Sequence, residues 1–178
     1  MLSQKMADRL NHQINLEMYS SHLYLQMSCW CAYQSLDGCA TFLSQHATEE
    51  MGHMHRLLQY LQETGALAIL GGMEAPPTEF GSLIELFEKV YQHELVVTSK
   101  INDLVHLATT EPDYSTLQFL QWYVAEQHQE EFLFKGILDK IKLIGVEGQG
   151  MFLIDRELEK IAMTNGKEAT SMTGTAAV

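Results

Sequence analysis

Residues 46–56 read HATEEMGHMHR, with two glutamates and three histidines in eleven positions. The segment lies inside a longer stretch with the three- and four-residue apolar spacing of an amphipathic helix, Leu43, Leu57 and Leu61 sharing one face. Glu50 and His53 fall on that same apolar face. They are three residues apart, so their side chains stack one turn above the other and can act on a common partner.

The same reading extended along the chain predicts four long helices and no strand, because nowhere does the apolar pattern alternate with a period of two. Helix A runs from about Ser3, a plausible N-cap, to an Asp37-Gly38 turn, and helix B from about Thr41 to Thr64, ended by Gly65. Helix C opens on the capping-box pattern Ser82-Leu-Ile-Glu85 and ends before Pro112. Helix D begins near Asp113 or Ser115 and ends at Gly145. Short turns make A and B, and likewise C and D, antiparallel neighbours. The connection between B and C, GALAILGGMEAPPTEFG (residues 65–81), is seventeen residues long. Extended, it spans up to about 60 Å, against roughly 39 Å for a helix of about 26 residues. It can therefore run the length of a bundle and set B parallel to C. A short fifth helix follows from Met151 to about Thr164. The expectation is an all-α four-helix bundle in one domain, residues 1–165, with a polar, unstructured tail over 166–178.

Composition narrows the function. The 178 residues are 46% hydrophobic, enough for a substantial core. A net charge of −12 argues against nucleic-acid or anionic-membrane partners and suits cation binding. Cys29, Cys31 and Cys39 are odd in number and form no C-x-x-C pair, so neither a disulfide framework nor a zinc ribbon is indicated. No run approaches a membrane span and no secretory signal is evident. The expected location is the cytoplasm.

Each helix carries a polar interruption in its core stripe. Helix A gives Leu10, Ile14, Glu17, Tyr24 and Ser28; helix B gives Leu43, Glu50, His53, Leu57 and Leu61. Helix C gives Leu83, Phe87, Val90, Glu94, Val97 and Ile101; helix D gives Leu117, Leu120, Val124, Gln127, Phe134, Leu138 and Ile141. One glutamate on such a stripe is ordinarily a boundary residue reaching water. Four interruptions near the midpoints of four helices meet at one level of a bundle. Clustered buried carboxylates repel one another, and a multivalent cation relieves that repulsion. Carboxylates with one imidazole suit iron or manganese better than thiolate-bound structural zinc. Di-iron carboxylate bundles carry a Glu on each of two helices and Glu-x-x-His on the other two. Here helix D has Gln127-x-x-Glu130 instead.

The segments LNHQINLEMYSSHLYLQMSCWC, FLSQHATEEMGHMHRL and FLQWYVAEQHQEEFLFK, with INDL in helix C, resemble the bacterial non-haem ferritins over about residues 1–165. That resemblance implies a ferritin-like bundle with one long crossover, assembled as a homo-oligomeric shell of 24 subunits that oxidises Fe(II) with O2 or peroxide and stores ferric mineral. It implies one iron at Glu17, Glu50 and His53 and a second at Glu50, Glu94 and Glu130, with Gln127 beside it and Tyr24 adjacent to the centre. A third site would draw on Glu49, Glu126, position 129 and Glu130, but position 129 is Gln. Met51 matches the haem-ligating methionine of bacterioferritins, yet the departure in helix D argues against haem. Tyr24 and Trp122 are candidate electron donors. His46, His55, His93, His106 and His128 are expected on surfaces, at subunit contacts or in satisfied core positions, and the three cysteines are expected to be buried. The competing readings are a di-iron oxidase or peroxidase of oxidative-stress defence and a helical interaction protein with a vestigial site.

Overall fold

The computed structural model describes the backbone of residues 2–173 and the side chains of residues 2–164. Five helices follow one another: α1 (Gln4–Tyr33), α2 (Asp37–Glu63), α3 (Leu83–Thr110), α4 (Tyr114–Ile144) and α5 (Gln149–Thr173). The caps are largely those the sequence suggested. Ser3 accepts from the Met6 amide, Ser82 from Glu85 and Asp113 from Thr116, each satisfying an N–H that the first helical turn leaves free. Gly145 closes α4 with φ 79°.

One boundary differs. Asp37-Gly38 is not a turn; it is the first turn of α2, and the chain reverses at Gln34–Leu36 with Ser35 in the left-handed region at φ 60°. Gly38 serves a tertiary contact instead. A Cβ there would lie 2.0 Å from the Asp155 carbonyl oxygen, so only glycine lets α5 approach α2. In the same contact Asp155 Oδ1 accepts from the Cys39 amide at 2.9 Å, capping α2 from across the fold. Helix α5 also continues to Thr173, past the predicted end at Thr164. The rest of the tail, residues 174–178, lies outside the described residues.

Helix α2 packs on α1 and α5, and α3 on α4 and α1. Near their N-terminal ends the Phe42 and Phe87 rings of α2 and α3 lie 6.4 Å apart, while Leu57 and Leu61 share a cluster with Leu104 and Leu107 towards their C-terminal ends. Those two helices are therefore parallel, as the long connection allowed. Part of that connection is held by two asparagines on successive turns of α1. Asn11 donates to the Leu67 carbonyl and accepts from the Ile69 amide, and Asn15 donates to Ile69 and accepts from Gly71. Side-chain amides here replace the pairing that a neighbouring strand would give.

The apolar interior falls into two clusters. One contains Tyr24, Phe42, Phe87, Phe134 and the α5 residues Ile154, Leu158 and Ala162; the other contains Leu10, Ile14, Leu57, Ile101, Leu120 and Tyr123. The α4 stripe passes through Thr116 and Tyr123, with Leu117 half-buried and Val124 on the exposed side. Cys29 is exposed, whereas Cys31 and Cys39 are buried.

Candidate metal centre

Between the two apolar clusters lies a layer of buried polar side chains drawn from all four long helices. Glu17 comes from α1, Glu50 and His53 from α2, Glu94 from α3, and Gln127 and Glu130 from α4; all are buried. The three-residue step from Gln127 to Glu130 and from Glu50 to His53 places each pair on the inward face of its helix. Tyr123 fixes the register of α4 against α2 by donating its hydroxyl to the His53 carbonyl at 2.7 Å.

Among the described residues, no Lys or Arg pairs with these carboxylates. Glu17 Oε1 accepts from Gln13 Nε2 at 2.9 Å, but Glu17 Oε2 is buried with no hydrogen-bond partner. His53 Nδ1 lies 3.2 Å from Glu50 Oε2. Glu94 accepts from the Tyr24 hydroxyl and, at 3.0 Å, from Gln127 Nε2. Glu130 Oε2 has no hydrogen-bond partner.

Burial, followed by repulsion from neighbouring carboxylates, pushes Glu17, Glu50 and Glu130 well above the usual carboxylate range. Burial also raises Glu94, though its hydrogen bonds from Tyr24 and Gln127 oppose that shift. Tyr24 is raised by burial and by the Glu94 charge. A layer of acids that resist ionisation, with orphaned oxygens, is the arrangement a multivalent cation would stabilise.

Three sets of side chains have ligand atoms within 4.8 Å of one another: Glu17, Glu50 and His53; His46, Glu49 and Glu130; and Glu49, His53 and Glu126. The first is the set expected for one metal. Glu94 belongs to none of the three; Tyr24 and Gln127 hold its carboxylate. Glu49 is exposed, Glu126 half-buried and Gln129 exposed. Trp122 stands edge-on to His53 with ring centres 5.3 Å apart, and the Arg56 guanidinium lies over the Trp122 ring, 4.3 Å from its centre.

Two residues escaped the sequence reading. Gln13 is buried and orients Glu17 from the preceding turn; its i,i+4 spacing to Glu17 was the available signal. His46, expected to be satisfied or on a surface, is buried with only one ring nitrogen bonded: Nδ1 lies 3.1 Å from the Phe42 carbonyl, and Nε2 has no hydrogen-bond partner. Of the other histidines, His55, His106 and His128 are exposed, while His93 is half-buried with Nε2 2.7 Å from Ser20 Oγ.

A parallel-crossover bundle with a carboxylate and imidazole layer at mid-height defines the class of metal-binding helical bundles. The family described as Ferritin-like domain matches residues 7–144. A bacterial non-haem ferritin of Escherichia coli O6:H1 is 52% identical over 165 residues, covering 93% of this chain and all of the relative. Among solved structures, a ferritin of Chlorobium tepidum is 53% identical with a TM-score of 0.81, covering 90% of this chain and 98% of that one. A ferritin of the archaeon Archaeoglobus fulgidus is 39% identical with a TM-score of 0.87, covering 89% of this chain and 98% of that one. The chain belongs to the ferritin family, on the bacterial non-haem branch.

Proposed function

We propose that this chain is an iron-storage ferritin whose buried polar layer is a ferroxidase centre, oxidising Fe(II) with O2 or peroxide and passing Fe(III) to a mineral. The observation that carries the reading is the convergence of carboxylates and one imidazole from four helices, with orphaned oxygens on Glu17 and Glu130.

Iron enters here as substrate. Glu17, Glu50 and His53 would hold one ion; Glu50, Glu94 and Glu130 would hold the second, with Glu50 bridging and Gln127 alongside. Hard anionic oxygens favour the ferric state, so binding itself lowers the potential of the iron. Two adjacent ions can deliver two electrons together, avoiding a one-electron product of oxygen. Tyr24, donating to Glu94, fixes that carboxylate and stands close enough to supply a further electron. With a single imidazole, the centre favours transfer of the ferric product over permanent retention. Glu49 and Glu126 lie next to His53, on the side where a third ion would sit, but the neutral Gln129 weakens that site for Fe(III).

The family resemblance extends to a homo-oligomeric shell, and we take the assembly to be a 24-mer in the cytoplasm. No helix among the described residues is long and apolar enough to cross a membrane. Electron microscopy of the purified protein after aerobic iron loading tests the reading: hollow shells with electron-dense cores are expected. Rapid oxidation with no mineral retained would instead indicate an oxidase or peroxidase acting on a small substrate.

A further inference from the structure

We infer that His93 and Tyr19 connect Tyr24 to the surface between α1 and α3, so that a small one-electron reductant in solution restores Tyr24 after it has given up an electron. The inference rests on the functional reading above in one respect, that Tyr24 supplies an electron to the oxygen reduced at the buried layer.

An oxidised tyrosine must be reduced again before the same step can be repeated. Tyr24 is fully buried, so no donor dissolved in water touches it. Among the described residues, two rings pack on it: Phe134 at 6.2 Å and His93 edge-on at 5.9 Å between ring centres. Phe134 leads inward, for it is buried and its other ring neighbours, Phe42 and His46, are buried too. His93 leads outward. It is half-buried and packs against Tyr19, also half-buried, with ring centres 5.8 Å apart. Tyr19 and Tyr24 stand five residues apart on α1, an axial rise of about 7.5 Å, and the His93 ring of α3 packs on both.

That bridging ring is fixed in place. Ser20 Oγ donates its single proton to the Leu16 carbonyl at 3.1 Å, so it accepts from His93 Nε2–H at 2.7 Å. The outer end of the path opens on a cleft of about 540 Å³ whose lining includes Tyr19, Leu23, Met27, Gln92, His93 and Val96. Gln92 is exposed and Val96 is 48% exposed, so water fills this cleft. A small enediol such as ascorbate therefore meets the Tyr19 side chain without entering the bundle.

Electrons and protons balance along the path. Tyr24 gives one electron to the oxygen undergoing reduction and its phenolic proton to Glu94, whose carboxylate already accepts that hydrogen bond. An electron from Tyr19 then refills Tyr24, and the proton returns to it from Glu94. Tyr19 releases its own proton to water in the cleft and takes one electron and one proton from the enediol, which is left as its one-electron oxidised product. In sum the donor loses an electron to oxygen and a proton to water.

The test is freeze-quench electron paramagnetic resonance after mixing assembled protein with Fe(II) and O2, with and without ascorbate, on the unmodified protein, Tyr19→Phe and Tyr24→Phe. The unmodified protein should give a tyrosyl signal whose lifetime ascorbate shortens several-fold, and Tyr24→Phe should lose the signal. Tyr19→Phe keeps a ring packed on His93 but removes the oxidisable phenol; its signal should form and should no longer respond to ascorbate. An equal effect of ascorbate on Tyr19→Phe would overturn the inference, because the donor would then reach Tyr24 by another way. So would an undiminished signal in Tyr24→Phe. Absence of any tyrosyl signal from unmodified protein that still oxidises Fe(II) rapidly would overturn the inference and leave the functional reading intact. Absence of rapid oxidation itself would sink the functional reading and the inference with it.

Discussion

At Glu17, Glu50 and Glu130 the protein maintains carboxyls whose ionisation the fold resists. Their folded pKa values lie above the ordinary value of 4.5. In the metal-free protein they therefore cost nothing below that pH, and a penalty that grows from there up to their folded values and is constant above them. Bound cations remove the penalty. Thermal unfolding should accordingly show a larger stabilisation by divalent metal at pH 7.5 than at pH 5.5; an equal or smaller shift at the higher pH would mean that these acids do not ligate the ion. The same reasoning makes Glu50→Gln a stabilising change in the metal-free protein at neutral pH, while abolishing most of the metal-induced increase. A lower midpoint for metal-free Glu50→Gln would show that Glu50 supports the fold through its own contacts.

Among the helices, α2 depends on supports that are remote in sequence. Asp155 caps its first turn from α5, so Asp155→Ala should cost about 1 kcal/mol and speed hydrogen exchange at Cys39 and its neighbours. Unchanged protection there would show that solvent caps α2 equally well. The Asn11 clamp on Leu67 and Ile69 predicts that Asn11→Ala destabilises by about 1–2 kcal/mol, with the increase in exchange confined to the α2–α3 connection. Global loss of protection would place Asn11 in the core instead. These elements also show what could be read in advance. Glu17, Glu50, His53, Glu94 and Gln127 interrupt apolar stripes at helical spacing, so their convergence followed from periodicity and the crossover length alone. Gly38 was misread because a Gly after Asp signals a turn locally, whereas its actual requirement is the backbone of Asp155. His46 was passed over for a similar reason: its meaning depends on Glu130, a residue on another helix. Val124 was placed one position round the helix from Tyr123, an error of phase that a stripe of mixed three- and four-residue steps permits.

On the scale of the whole molecule, a single subunit leaves large apolar side chains in water. Tyr33, Phe132, Leu143 and Phe152 are 66–88% exposed. Scattered exposed apolars are ordinary on a monomer, but a subunit of a closed shell needs such surface for its neighbours, and light scattering should find a large, discrete assembly rather than monomer. We propose that the buried layer, and not the mineral surface or the shell exterior, performs the first oxidation of iron. Stopped-flow absorbance after mixing Fe(II) with oxygen, on assembled protein and on assembled Glu50→Ala and His53→Ala, tests it most directly. The rapid phase should be slowed on the order of ten- to a hundred-fold or more in both variants, with the shell unchanged by size-exclusion chromatography. A rapid phase of undiminished rate in either assembled variant would contradict the account.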